Sequence, residues 1–148
     1  MSDEEYRHWE VTRTVLLPAR AEDVWDVIGG FYTIHEWHPD IAVTEVPEDQ
    51  TSQRHMRRRL TFPGQPMTVE QLVSLDNADL HYTYKWHEGD WGERVKNYHA
   101  SLRVLAGDEE ESCMVQWKSR FDYPSDAISQ FYLNGFHALE ERFGKMGG

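Results

Sequence analysis

The sequence predicts an α+β domain in which a curved antiparallel sheet of seven strands wraps around one long C-terminal helix, with two short helices between the first and second strands. Three observations point there. Strand-like runs separated by turn signals follow one another through the middle of the chain. The C-terminal segment carries an apolar, largely aromatic stripe at helical spacing. A length of 148 residues suits one hydrophobic core, so residues 1–148 are read as a single domain.

The first strand covers Trp9 to Leu17, where β-branched enrichment and partial alternation end at Pro18. Pro18 to Asp23 then opens a helix in which Val24, Trp25, Val27 and Ile28 recur at helical spacing, and Gly29-Gly30 ends it. A second short helix is expected over Phe31 to Glu36. It stops before Trp37-His38-Pro39, because a residue preceding proline is pushed out of the α region. Strands follow at about 41–46, 53–62, 67–75, 80–87, 95–105 and 113–122. Pro63-Gly64-Gln65-Pro66, Asp76-Asn77-Ala78-Asp79 and Gly107 to Glu111 are the clearest hairpin connections, and the acids of the last are read as a solvated turn. The final helix begins after Pro124, with Ser125 or Asp126 at its N-cap. It sets Ile128, Phe131, Tyr132, Gly135, Phe136, Leu139 and Phe143 on one face.

Composition narrows the function. Bases number 15 and acids 26, a net charge of −11 at pH 7, which repels nucleic acid phosphates and anionic membrane surfaces unless a basic patch is segregated. Nucleic acid is therefore not an expected partner, and the basic run Arg54 to Arg59 is split between two faces by strand alternation. No stretch reaches transmembrane length, so stable membrane insertion is not expected. A lone Cys113 and an acidic start without a secretory pattern place the expected location in the cytoplasm. His35, His38, His81, His87 and His99 fall outside any HExxH-like ligand set, so no metal is expected; no nucleophile motif or Gly-rich phosphate loop occurs either. Aromatic residues make up 13% of a chain whose mean hydropathy is −0.73. Large rings must then be concentrated where sheet and helix meet, either filling that space or lining a hollow in it.

The order of elements, with Val15-Leu16-Leu17-Pro18-Ala19, Val24-Trp25, Phe31 and Trp37-His38-Pro39, resembles the SRPBCC superfamily of START-related polyketide cyclase/dehydrase and lipid-transport proteins. Arg58 and Leu60, Glu70 and Leu72, Tyr82-Thr83-Tyr84, Asn97-Tyr98 and Val115-Gln116-Trp117 continue the likeness over about residues 9 to 144. The resemblance implies a helix-grip fold holding a small hydrophobic, aromatic or polyketide-like molecule and needing no cofactor. Two activities fit it: cyclisation and dehydration of a polyketide, or non-catalytic carriage of a lipid or quinone. No protein partner is identified. The chain departs from the pattern at Gly89 to Lys96, where Gly89-Asp90-Trp91-Gly92-Glu93-Arg94 intervenes before Asn97-Tyr98, close to the expected pocket mouth.

Alternation sorts the candidate residues. Met56, Leu60 and Phe62 being apolar, Arg58 shares their inward face, and an inward guanidinium needs a partner. Glu70 lies 12 residues on, roughly opposite across a hairpin. The pair either satisfies itself structurally or acts on a ligand: Arg58 would polarise a carbonyl, Glu70 would accept a proton, and Tyr82 would assist. Tyr84 and Trp86 share Tyr82's face, Tyr98 faces inward on the next strand, and Trp117 and Phe121 do so on the last. With Trp37, Met56, Phe131, Tyr132 and Phe136 they form the expected ligand-binding set, for which core packing is the plainer alternative. Trp37 is expected to plug one end of the grip, and His38 to reach its mouth.

Overall fold

Alternating burial along the strands gives the sheet one apolar face, and the computed structural model shows what covers it; residues 8–47, 56–64, 67–89, 96–122 and 126–146 are described. Strand β1 (His8–Leu17) leads into helix α1 (Ala21–Ile28) and a three-residue 3₁₀ turn, Ile34–Glu36. Strands β2 (Val43–Glu45), β3 (Arg57–Thr61), β4 (Thr68–Asp76), β5 (His81–Gly89), β6 (Lys96–Ala106) and β7 (Cys113–Asp122) follow, then helix α2 (Asp126–Phe143). The seven strands form one antiparallel sheet in the order β1-β7-β6-β5-β4-β3-β2. The meander runs from β2 to β7, and β1 pairs with β7 as the edge strand opposite β2.

The seven-stranded sheet and the long C-terminal helix stand as expected. The second short helix does not: Phe31 to Glu36 yields only the 3₁₀ turn. Within the segment bounded by Gly30 and Pro39 the Phe31 carbonyl accepts from Arg58 and not from a helical N–H, and Glu36 and Trp37 donate to Thr33 and Ile34 in i→i+3 bonds. The Gln65-Pro66 half of one expected hairpin turn, the expected strand positions 53–55, the Pro124-Ser125 helix start and the Asp90 to Val95 loop lie outside the described residues.

Every second residue of β7, from Cys113 through Val115, Trp117 and Ser119 to Phe121, is buried, as are Tyr98, Ala100, Leu102 and Val104 of β6. That period of two is the sheet's inner face. Helix α2 lays Ile128, Tyr132, Gly135, Phe136 and Leu139 against it. Full burial of Ile128, Phe136 and Leu139 contributes roughly 1.5–3 kcal/mol each. Helix α1 buries Val24, Trp25 and Ile28 and is tied to the β4–β5 turn by a 3.0 Å hydrogen bond from Trp25 Nε1 to Asn77 Oδ1. Asp76 shapes that turn, its Oδ1 accepting from the backbone N–H groups of Ala78 and Asp79.

Gly135 of α2 faces Trp37 and His38 at close range. A Cβ there would stand 2.8 Å from His38 Cδ2 and 3.1 Å from the Trp37 ring. On an open helix face, alanine for glycine gains up to about 1 kcal/mol. Here both neighbours are buried and held by their own contacts, so Gly135→Ala is expected to destabilise by about 1–3 kcal/mol, measured by urea unfolding.

Candidate functional site

Two polar clusters interrupt the apolar interior, beside the other buried polar residues His38, Thr68, Ser112 and Ser119. In the first, Arg58 on β3 and Glu70 on β4 are directly opposed in register. Arg58 is fully buried and Glu70 is 4% exposed. Nε and Nη2 of Arg58 both donate to Glu70 Oε1, at 2.9 and 2.7 Å. Nη1 donates to the Phe31 carbonyl at 2.9 Å and to the Tyr82 hydroxyl at 3.4 Å. The guanidinium also lies 4.2 Å over the Phe31 ring and 4.9 Å from that of Tyr84. Four residues, Glu70 of β4, Tyr82 and Tyr84 of β5 and Phe31 after α1, thus hold one cation from β3.

Both Arg58 donors go to Oε1, and no described residue donates to Glu70 Oε2. Burial raises the Glu70 pKa above the ordinary carboxylate value, against the opposing effect of the Arg58 charge. Tyr82 is likewise raised, by burial first. A carboxylate with one oxygen clear of any described donor and an elevated pKa, next to a fixed cation and a phenol, can take a proton and return it.

The second cluster is a chain of hydroxyls. Trp117 Nε1 donates to the Tyr84 hydroxyl at 2.8 Å, the Tyr84 and Tyr98 hydroxyls lie 3.4 Å apart, and Tyr98 bonds Tyr132 of α2. Trp117 stacks on Tyr132 with ring centroids 4.3 Å apart. Burial pushes the pKa of all three tyrosines up, so they remain neutral hydroxyls that donate and accept.

The residues singled out from sequence fall into place unevenly. Arg58, Glu70 and Tyr82 meet in one cluster, and Tyr84, Tyr98, Trp117 and Tyr132 in the other. Trp37, Phe131 and Phe136 pack their rings around Trp117, and Phe121 lies beside Tyr98. Trp86, half-buried, stands opposite Glu70 in register, with its indole N–H unbonded. Met56 is half-buried, and its carbonyl accepts from the Leu72 N–H.

His38 does not reach a mouth. It is 1% exposed, stacked on Phe131 at 4.0 Å, and its Nε2 bonds the Phe131 carbonyl at 2.8 Å while Nδ1 accepts from the Asp40 N–H. Asp40 Oδ2 also accepts from Asn134 of α2, so this corner latches the loop to the helix. The Phe31 carbonyl, an acceptor for Arg58, had no signal in the sequence because it is a backbone group. Burial pushes the Cys113 thiol up to about 11, which leaves little thiolate at neutral pH. Among the described residues no group of three or more His, Cys, Asp or Glu is placed to hold a metal ion, and no helix is long and apolar enough to cross a membrane.

Comparison with known proteins places these observations in a family context. The family model described as polyketide cyclase/dehydrase and lipid transport matches residues 8–143. Among solved structures, the protein XoxI from Bacillus cereus is 25% identical with a TM-score of 0.81, over 90% of this chain and 94% of that one. A Thermobifida fusca protein solved by NMR is 26% identical with a TM-score of 0.78, over 91% and 93%. The Zhui aromatase/cyclase from Streptomyces sp. R1128 shares the fold at 17% identity and a TM-score of 0.72, over 96% and 99%.

Proposed function

Because the chain belongs to the polyketide cyclase/dehydrase and lipid transport family, we propose that it holds a small aromatic or polyketide-like molecule between the sheet and α2 and cyclises and dehydrates it without a cofactor. The observation that carries this reading is the buried Glu70 beside Arg58 and Tyr82, with both Arg58 donors on Oε1 and no described residue donating to Oε2.

In this reaction Glu70 Oε2 removes a proton from a carbon between two carbonyls. The enolate oxygen is stabilised by the Tyr82 hydroxyl proton and by the Nη2 hydrogen of Arg58 that Glu70 leaves unused. The carbanion attacks a second carbonyl of the same chain, which closes the ring, and the new alkoxide takes back the proton held by Glu70; Glu70 then removes a second proton from the same carbon and passes it to the departing hydroxyl, which leaves as water with formation of the C=C bond. Aromatic walls such as Trp86 and Phe121 hold the flexible substrate in the folded conformer that cyclisation needs.

The test uses a poly-β-ketone substrate with wild type, Glu70→Gln and Tyr82→Phe. Glu70→Gln is expected to retain the ligand in native mass spectrometry while turnover falls about 10²–10⁴-fold. Cyclisation that proceeds unchanged in both variants excludes the catalytic role. A phospholipid or quinone retained by the purified wild type, with no cyclisation, assigns the fold to carriage instead.

A further inference from the structure

The outer face of the sheet carries a second concavity, unrelated to the interior clusters. A groove of about 300 Å³ crosses β5, β6 and β7, flanked by Val73 of β4 and Glu10 of β1. Its floor is backbone of Tyr84, Ala100 and Ser119, residues whose side chains serve the inner face. Its walls are Thr83, His99, Ser101, Lys118 and Arg120. Register shifts between Leu72 and Ser74 in β4 and between Lys96 and His99 in β6 bend the strands beside it. Such irregularities re-aim side chains and open a sheet surface locally.

Two adjacent transverse rows of side chains meet there. Lys85, His99 and Arg120 are opposed in register across β5, β6 and β7, and Thr83, Ser101 and Lys118 form the next row. Lys85 and Arg120 thus flank His99 from either side, and Glu10 of β1 stands opposite Arg120. No described acid forms an ion pair with Lys85, Lys118 or Arg120, and the carboxylate at the edge of the groove is Glu10. This concentration of cations sits in a chain of net charge −11, where ample acid is available to neutralise it. Partial burial and the nearby charges of Arg120 and Lys85 also push the His99 pKa below the ordinary histidine value.

We propose that this groove is a binding site for a small molecule bearing phosphate or carboxylate oxyanions, gripped by Arg120, Lys118 and His99 and hydrogen-bonded by the hydroxyls of Thr83 and Ser101. An oxyanion is held by the three cations that gather around His99, and it matches the fork of the arginine. Its charge also favours the imidazolium form of His99, which gives the site its own reporter.

The experiment follows the His99 imidazole resonance by NMR, assigned by its loss in His99→Gln, during titration with pyrophosphate and separately with citrate at fixed ionic strength. A saturable shift with a Kd of about 1 mM or tighter is expected, together with a higher His99 pKa in the bound state. Preference for pyrophosphate identifies a phosphate-bearing ligand and preference for citrate a polycarboxylate; either supports the site. In Lys118→Gln/Arg120→Gln, folded by circular dichroism, affinity is expected to fall about tenfold or more. No saturation by ~10 mM, an undiminished response in the double variant, or the same shift from chloride alone overturns the proposal.

Discussion

Arg58→Ala is expected to lower stability by about 3–5 kcal/mol, among the largest effects a single substitution in this chain can have. The substitution leaves Glu70, 4% exposed, without the two hydrogen bonds that hold it, and leaves the Phe31 carbonyl and Tyr82 without their donor. The loss should depend on pH. Glu70 already sits above the ordinary carboxylate value because burial outweighs its partner, and removing the partner raises it further. A carboxyl raised in the folded state contributes stability at low pH that is lost as pH rises through its folded value. The Arg58→Ala penalty is therefore expected to be smaller at pH 5 than at pH 8. Replacing both residues together, Arg58→Met with Glu70→Leu, should recover most of the stability, because it removes the stranded charge as well as the pair. Urea unfolding at the two pH values checks each point. A cost below about 1 kcal/mol for Arg58→Ala at pH 8 would mean that the pair is solvated, and the catalytic proposal would lose its basis.

Acidification is expected to remove about 3 kcal/mol of stability through His38 alone. Burial lowers its pKa from 6.5 to about 4, despite the raising effects of the Phe131 carbonyl and Asp40; Arg58 lowers it further. A histidine depressed in the folded state contributes stability that is complete above 6.5 and lost as pH falls toward 4. The geometry gives the reason. Nδ1 accepts the Asp40 N–H, so Nε2 carries the proton donated to Phe131, and a second proton on Nδ1 would displace that accepted bond. His38→Phe removes the titration while keeping a ring against Phe131 and Trp117. Unfolding free energies of wild type and His38→Phe should therefore run parallel above pH 7 and converge between pH 6.5 and 4. Curves that stay parallel through that window would show that His38 is solvated and that the latch to α2 is open.

Most of the fold was legible because its signals are local and periodic. The β7 run Cys113 to Asp122 stands in the structure with the boundaries its alternation indicates, and the α2 stripe from Ile128 to Phe143 lies on the face its spacing sets. The opposition of Arg58 and Glu70 was also within reach, since a hairpin connecting two strands of known parity fixes which residues face each other. The 3₁₀ turn was less accessible: Ile34, His35 and Glu36 carry an ordinary helical preference, and the limits imposed by Gly30 and Pro39 override it.

What the sequence determined by itself is periodicity: which residues share a face, where strands turn, and that a cation and a carboxylate would point inward. It could do so because side-chain direction depends on backbone geometry over a few residues. What only the tertiary structure decided is which inward groups satisfy one another. The Phe31 carbonyl accepts a hydrogen bond from Arg58, 27 residues away, and His38 turns from the mouth to lock onto Phe131, 93 residues distant. The cationic groove likewise needs three strands brought edge to edge before Lys85, His99 and Arg120 become neighbours. Such pairings are set by how sheet and helices close on one another, and no local pattern in the chain encodes that closure.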